Sequence, residues 1–393
     1  MISAGKKRDS SRKRKRAPRK LAARLALVVG GLCVGLIAAE LVLAALDRPR
    51  FRKKHSAPAQ FAFVSREGSN RPITHEGYAM YVNKRSSEIR FVYDGDPRGY
   101  FGPNNDILHE TNAQGFRSRR DFSESKVPGT LRICFLGDSS TFGEGVRFED
   151  TYPEVTAKLL GKEEALAGRL VESYNFGVGG YNTTQSLWLF RRMVPAARPD
   201  VVVLGYTLSD AEPPLFVFDE ATGHVSRGPW ERTLPEGLDV AVPPNTWLYK
   251  LRTARLLWQV LKKRERTRRT VAYRRSLYEE SSPGWAESRR ALRELIGECR
   301  RQRIPCCVLC FPVLYKLDDD YPFTEIHSKV RRVVEDAGAV FVDLFAELER
   351  RDALSLWVHP TDQHPNEQAH AAAARTLVRA LVAREMLSAR AAP

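Results

Sequence analysis

The stretch Leu131-Arg132-Ile133-Cys134-Phe135-Leu136-Gly137-Asp138-Ser139-Ser140-Thr141-Phe142-Gly143 decides how the chain folds. LRICFL is a short, largely apolar run that stops at a cluster of turn formers, which predicts a buried strand followed by a tight turn. The same rhythm continues downstream. The spacing predicts a helix over 152–160, a strand over 171–176 and a helix over 184–197, and Asp200-Val-Val-Val-Leu-Gly205 reads as a strand buried on both faces. After an interruption come a helix over 285–301, a strand over 304–313, a helix over 325–337, a strand over 340–344 and a closing helix over 367–384. Strand and helix alternate at βαβ spacing, so an α/β fold with a parallel sheet covered by helices on both faces is the economical solution.

In such a sheet the ligand crevice lies beyond the carboxyl ends of the strands. The turn Gly137-Asp138-Ser139 is therefore where a nucleophile would be presented. Glycine permits the sharp turn, and the backbone N–H of Ser139 is placed to help bind an oxyanion. Ser140 is the adjacent alternative, displaced by one residue around the turn. Alone, Gly-Asp-Ser is an ordinary turn composition. Three further segments fall at the same edge: Asn175-Phe-Gly-Val-Gly-Gly-Tyr-Asn-Thr183, Gly205-Tyr-Thr-Leu-Ser-Asp210 and Asp362-Gln-His-Pro-Asn366.

In order and spacing these four segments resemble the SGNH hydrolase superfamily, the GDSL-like lipases and acylhydrolases, over about Leu131 to Arg384 apart from the interruption. Asn112-Ala-Gln-Gly-Phe-Arg117 resembles the lead-in of membrane-anchored members. The resemblance implies a three-layer α/β/α, flavodoxin-like domain and acyl-enzyme chemistry. It makes Ser139 the nucleophile, His364 its general base, and the backbone N–H groups of Ser139 and Gly180 oxyanion donors. Two departures stand out. The family's third block is usually Gly-x-Asn-Asp, and here Ser209, a shorter donor, holds the Asn position; loss of such a donor typically costs about 100- to 1000-fold in turnover. The last block is usually Asp-x-x-His, whereas Asp362 lies two residues before His364 and Thr361 holds the usual position. Asp362 is expected to orient His364 through an altered loop, the alternative being a Ser-His dyad oriented by a backbone carbonyl.

His359 precedes the acidic residue and lacks the following Asn and helix start, and His370 falls inside the last helix, so both read as packing histidines. No His and carboxylate cluster has metal-ligand spacing and no Walker or Rossmann loop is found, so no metal or cofactor is expected. Cys306, Cys307 and Cys310 lie in an apolar run whose alternation sends the first two to opposite faces. They read as small buried hydrophobes, with a disulfide involving Cys299 as the rival reading.

Composition is that of a globular protein, with 43% hydrophobic residues and 26 Gly among 393 residues, which excludes collagen-like, mucin-like and wholly disordered chains. The net charge of +16 is concentrated: residues 1–54 hold 16 Lys and Arg against Asp9, Glu40 and Asp47. Residues 25–46 are apolar apart from Glu40 and long enough to cross a bilayer, and the basic flank before them is the stronger, with ten basic residues between Lys6 and Lys20 against five between Arg48 and Lys54. A cleaved signal peptide is the rival, but the leading region is long and no convincing A-x-A site follows the apolar run. The expected organisation is a basic cytoplasmic tail (1–24), a transmembrane signal-anchor helix (25–46), an irregular or β-rich lead-in (47–127) and the hydrolase-like domain (128–393) with an insertion at about 211–282. The insertion's second half, 247–278, is predicted helical and strongly basic: Lys250 to Arg275 holds 11 basic residues against Glu265. It suits anionic lipid, an acidic polymer or a plain solvated face, with no recognisable nucleic-acid module, so no nucleic acid is expected as a partner.

These features together predict an extracytoplasmic serine esterase, periplasmic in a Gram-negative cell, acting on O-acyl groups of a carbohydrate or cell-envelope substrate. Trp230, Trp247 and Trp258 in the insertion are consistent with a carbohydrate. A polysaccharide O-acetyltransferase and a non-catalytic binding protein of the same fold are the alternatives. A reporter fused after Pro393 is expected to be active only outside the cytoplasm; cytoplasmic activity would reverse the orientation.

Overall fold

Five parallel strands form the central sheet: β1 (Leu131–Gly137), β2 (Val171–Asn175), β3 (Val201–Tyr206), β4 (Cys306–Cys310) and β5 (Val340–Asp343), in the order β5-β4-β3-β1-β2. The direction of progress along the sheet reverses between β1 and β3, and such a reversal opens a crevice at the strands' carboxyl ends. Every residue of β1, β3 and β4 is buried, which is why these segments read as apolar runs without alternation. Arg132 in β1 is the exception in chemistry but not in burial. Its guanidinium donates to Glu172 at 2.7 Å and to the carbonyls of Ser123, Ser125 and Ala197 at 2.9, 2.8 and 2.5 Å, so the buried charge is paired on all sides.

The computed structural model describes residues 16–46, 54–55, 61–63, 73–75, 78–166, 168–214, 216–219, 224–227 and 251–387. The strands alternate with α1 (Ser139–Phe142), α2 (Tyr152–Leu160), α3 (Thr183–Met193), α4 (Pro283–Arg301), α5 (Thr324–Asp336) and α6 (Glu367–Ala383). Helix α2 packs on α6, while α3 packs on α4 and α4 on α5, giving the two helical layers that flank the sheet. Side-chain caps start them: Asn182 and Gln185 form a capping box at α3, and Asn366 accepts from Gln368 and Ala369 at α6. Helix α3 stops short of the expected residue 197 because Pro195 opens a 3₁₀ turn. Strand β4 is shorter than the apolar run around it because Pro305 and Pro312 bracket it. Cys134, Cys299, Cys306, Cys307 and Cys310 are buried and none of them is in a disulfide, so the rival pairing of Cys299 is not formed, and burial pushes the Cys307 thiol up to about 12.

The chain divides into two compact units, residues 1–50 with 237–268 and residues 51–236 with 269–393. In the second unit the lead-in is β-rich. Strand Glu88–Val92 pairs antiparallel with Lys54–His55 and Asp106–Glu110, and Tyr78–Asn83 pairs with Phe61–Phe63 and Ile73–His75. Ile89, Phe91, Tyr93, Phe101 and Ile107 form one cluster with Phe142 of α1 and Val358, so the lead-in is packed against the end of the first helix turn.

In the first unit, helix Arg16–Leu46 contains a 20-residue segment, Arg24–Leu43, of mean hydropathy 2.4 that is long and apolar enough to cross a membrane. Near its end Glu40 accepts from the backbone N–H groups of Arg252 and Thr253 at 2.7 and 2.9 Å, capping the helix Arg252–Ser276. Most of the basic tail, Trp230, Trp247 and the side chain of Trp258 lie outside the described residues.

Candidate active site

Strand β1 ends at Gly137, whose φ of 145° and close surroundings only glycine accommodates: a Cβ there would lie 2.2 Å from Thr141 Oγ1 and 2.7 Å from the Gly205 carbonyl. Asp138 then caps the one-turn α1, accepting from Ser140 N at 2.8 Å, and Gly143, with φ 81°, ends it. The loop after β2 locks onto this turn. Asn175 Nδ2 donates to the Thr141 carbonyl at 2.8 Å, and Gly177 approaches so closely that a Cβ would sit 2.4 Å from Phe142 N. Arg117, fully buried, donates to the carbonyls of Phe142, Gly143 and Val146 and holds the chain just past α1.

Ser139 Oγ lies 2.9 Å from His364 Nε2, across 225 residues of sequence, and His364 Nδ1 lies 2.6 Å from Asp362 Oδ1. The antiparallel pair Trp357–His359 and Asp362–Pro365 carries both of the latter residues, so Asp362 reaches the ring from two positions back. Its other oxygen accepts from the Tyr93 hydroxyl at 3.0 Å. Burial, with Asp362 next in importance, raises the Tyr93 phenol far above its ordinary range, so it stays a donor. Glu144 places a second carboxylate oxygen 3.8 Å from His364 Nδ1. Glu144, Asp362 and His364 together offer three ligand atoms within 4.8 Å of one another. A cation bound to all three would displace the Nδ1–H···Asp362 hydrogen bond that fixes the imidazole, so the donor set fits proton transfer better than metal binding.

Ser140 is buried, and its backbone N–H donates to the capping carboxylate of Asp138 at 2.8 Å. Among the described residues no acceptor is found for the backbone N–H of Ser139 or of Gly180. The Gly180 turn is held by the Tyr81 hydroxyl, which donates to the Gly179 carbonyl at 2.8 Å. Ser209 shares with Ser139 the walls of a cavity of about 270 Å³, whose lining does not include Gly180. Its hydroxyl lies 2.7 Å from Thr207 Oγ1, which also donates to Asp138 Oδ2 at 2.9 Å. Behind this loop Asp210 accepts from Thr207 N at 2.8 Å and Thr183 Oγ1 at 2.6 Å. Burial, and then the neighbouring Asp138, push Asp210 up to about 8, and burial raises Asp138 as well.

The remaining histidines are structural. His359 Nδ1 meets Thr361 Oγ1 at 2.8 Å, and His370 Nδ1 accepts from Tyr152 N at 3.0 Å while burial brings it down to about 3. A second His-Asp pair, His327 Nδ1 to Asp343 Oδ1 at 2.8 Å, joins a buried ring to a half-buried carboxylate. Its Nε2 meets the Tyr321 hydroxyl at 3.1 Å, and that hydroxyl accepts from Val313 N at 3.0 Å. Tyr81, Tyr93 and Glu144 carry no motif, and Thr207 lies inside the Gly205–Asp210 segment without being marked there as a site residue.

Residues 135–372, more than half of the chain, match the family model described as the GDSL-like Lipase/Acylhydrolase family. The chain belongs to this family. Among solved structures, a catalytic mutant of the acetylxylan esterase Axe2 from Geobacillus stearothermophilus is similar at 16% identity, with 68% of this chain and 100% of that chain covered and a TM-score of 0.39. A lipolytic protein of the G-D-S-L family from Desulfitobacterium hafniense DCB-2 is similar at 12% identity, with 64% of this chain and 100% of that chain covered and a TM-score of 0.37. These likenesses are too distant to bear on substrate. No curated protein matches the sequence.

The Tyr93–Asp362–His364 chain generates a graded expectation for turnover of an aryl acetate. Asp362→Asn should lower kcat by about 10³- to 10⁴-fold, as loss of a triad carboxylate does. Tyr93→Phe should lower it by roughly tenfold with KM held, since one hydrogen bond to a charged group is removed. Steady-state kinetics on folded variants checks this order, and a Tyr93→Phe variant as damaged as Asp362→Asn would contradict it.

Proposed function

We propose that this member of the GDSL-like lipase/acylhydrolase family is a membrane-anchored serine esterase that removes O-acyl groups from a carbohydrate or cell-envelope substrate outside the cytoplasm. The observation that carries the chemistry is the 2.9 Å approach of His364 Nε2 to Ser139 Oγ, with Asp362 on the other ring nitrogen. In this reading His364 Nε2 takes the hydroxyl proton as Oγ bonds to the ester carbon, and the carbonyl electron pair moves onto oxygen. The backbone N–H groups of Ser139 and Gly180 and the hydroxyl of Ser209 stabilise that oxyanion. Collapse breaks the bond to the alcohol, which leaves with the proton from His364. Water then attacks the acyl-enzyme with the same base, releasing the acid and restoring Ser139. A sugar hydroxyl in place of water would give an O-acyltransferase. The apolar Arg24–Leu43 segment and the stronger basic flank before it support anchoring with the catalytic unit outside.

The full chain, purified in detergent, should label covalently with a fluorophosphonate and release acetate from an aryl acetate. Ser139→Ala should abolish labelling, His364→Ala should slow it by orders of magnitude, and Ser140→Ala should change it only a few-fold. Acetyl transfer to an added sugar in preference to water would favour the transferase. Absence of labelling in a folded wild-type chain, with several acyl sizes tried, would favour the binding protein.

A further inference from the structure

The cavity that holds Ser139 and His364 also holds a cation the mechanism does not use. Among the described residues that line it, Arg274 is the sole Lys or Arg. It comes from the last turns of the helix Arg252–Ser276, in the insertion. We propose that Arg274 recognises an anionic group on the substrate, so that the site takes O-acylated acidic saccharides. The inference rests on the esterase reading above and narrows its substrate.

The guanidinium is positioned from two sides. Arg274 Nη1 lies 3.5 Å from Glu212 Oε1, with the two side chains 26% and 31% exposed. Glu212 is itself fixed beside the proposed oxyanion loop, its backbone N–H donating to the Ser209 carbonyl at 2.8 Å. The next residue, Arg275, donates to the Pro322 carbonyl at 3.1 and 3.0 Å and ties down the end of the helix. One carboxylate partner engages at most two of the five guanidinium N–H donors, which leaves capacity for a substrate carboxylate, sulfate or phosphate.

The charge extends beyond one residue. Arg269 and Arg275 are exposed on the same helix, and Lys250 to Arg275 carries 11 basic residues against Glu265. Cations on the helix turns beside Arg274 suit a polymer with repeated negative charge better than a single small anion. The exposed Thr361 and Gln363, which also line the cavity, offer hydrogen-bond partners for hydroxyl groups. A lipid surface would satisfy the helix but would leave a cation inside the cavity without a role.

The test compares esters that differ by one charge: O-acetylated methyl glucuronoside against O-acetylated methyl glucoside, and 4-nitrophenyl succinate against 4-nitrophenyl acetate, with the full chain in detergent. Arg274→Gln should lower kcat/KM on the anionic member of a pair by about tenfold, mostly through KM, and leave the neutral member within about twofold. Arg274→Lys should keep most of the preference. Glu212→Gln, which removes the competing carboxylate, should move the anionic-to-neutral ratio the opposite way. Ratios unmoved in both pairs, or equal loss of both members in a folded Arg274→Gln protein, would overturn the inference and leave the esterase reading standing. A wild-type chain that turns over none of the four esters overturns both.

Discussion

Thr141 Oγ1 occupies the gap between two glycines. A Cβ on Gly137 would lie 2.2 Å from it and a Cβ on Gly205 2.3 Å, so the hydroxyl can sit there only because strands β1 and β3 both end without side chains at this level. The same oxygen meets the Tyr152 hydroxyl at 3.0 Å and the Leu136 carbonyl at 3.3 Å. This close approach fixes α1 on the sheet edge, and with it the direction in which Ser139 leaves the turn. Positioning of reacting groups tolerates little error, since a misplacement of about 1 Å can cost about 100-fold in rate. The sharpness of the turn is therefore the constraint from which the rest of the site follows.

A turn held this tightly still leaves its partners to be placed, and much of that work falls to residues outside the family match, which begins at residue 135. Tyr81 holds the Gly179–Gly180 turn, Tyr93 holds Asp362, and Arg117 gathers the carbonyls that follow α1. His109 adds a fourth brace, its Nε2 accepting from Gly145 N at 3.0 Å. Each of these four side chains is buried and hydrogen-bonds a group on the loops or the hairpin around the site, which makes the lead-in part of the site's construction. An unusual Asp-x-His spacing is workable in this setting, because Tyr93 and the hairpin around Thr361 fix the carboxylate where the ring needs it.

The periodic parts of the chain were legible in advance. β1, β3 and β4 announce themselves as apolar runs, Gly137-Asp138-Ser139 sits at a strand end where chemistry is expected, and Asp362-Gln-His364 stands just before the closing helix. What could not be read depends on contacts between distant segments. Tyr93 meets Asp362 across 269 residues, and nothing local marks it apart from its aromatic neighbours. Arg132 hides inside an apolar strand because its guanidinium finds three carbonyls and Glu172 only after folding. The helix ends moved for a local reason, Pro195 at α3, that propensity over a longer window averages away. Glu40 looked like a lone acid in an apolar helix, and its partners, the first N–H groups of the helix at Arg252, come from 212 residues downstream.

The most direct measurement is a crystal structure of the full chain after reaction with an alkyl fluorophosphonate. Phosphorus should be bonded to Ser139 Oγ, with the phosphonyl oxygen within about 3 Å of the backbone nitrogens of Ser139 and Gly180 and His364 Nε2 beside the leaving-group position. Phosphorus on another residue, or a phosphonyl oxygen turned away from Gly180 and Ser139 N, would contradict the proposed nucleophile and oxyanion site.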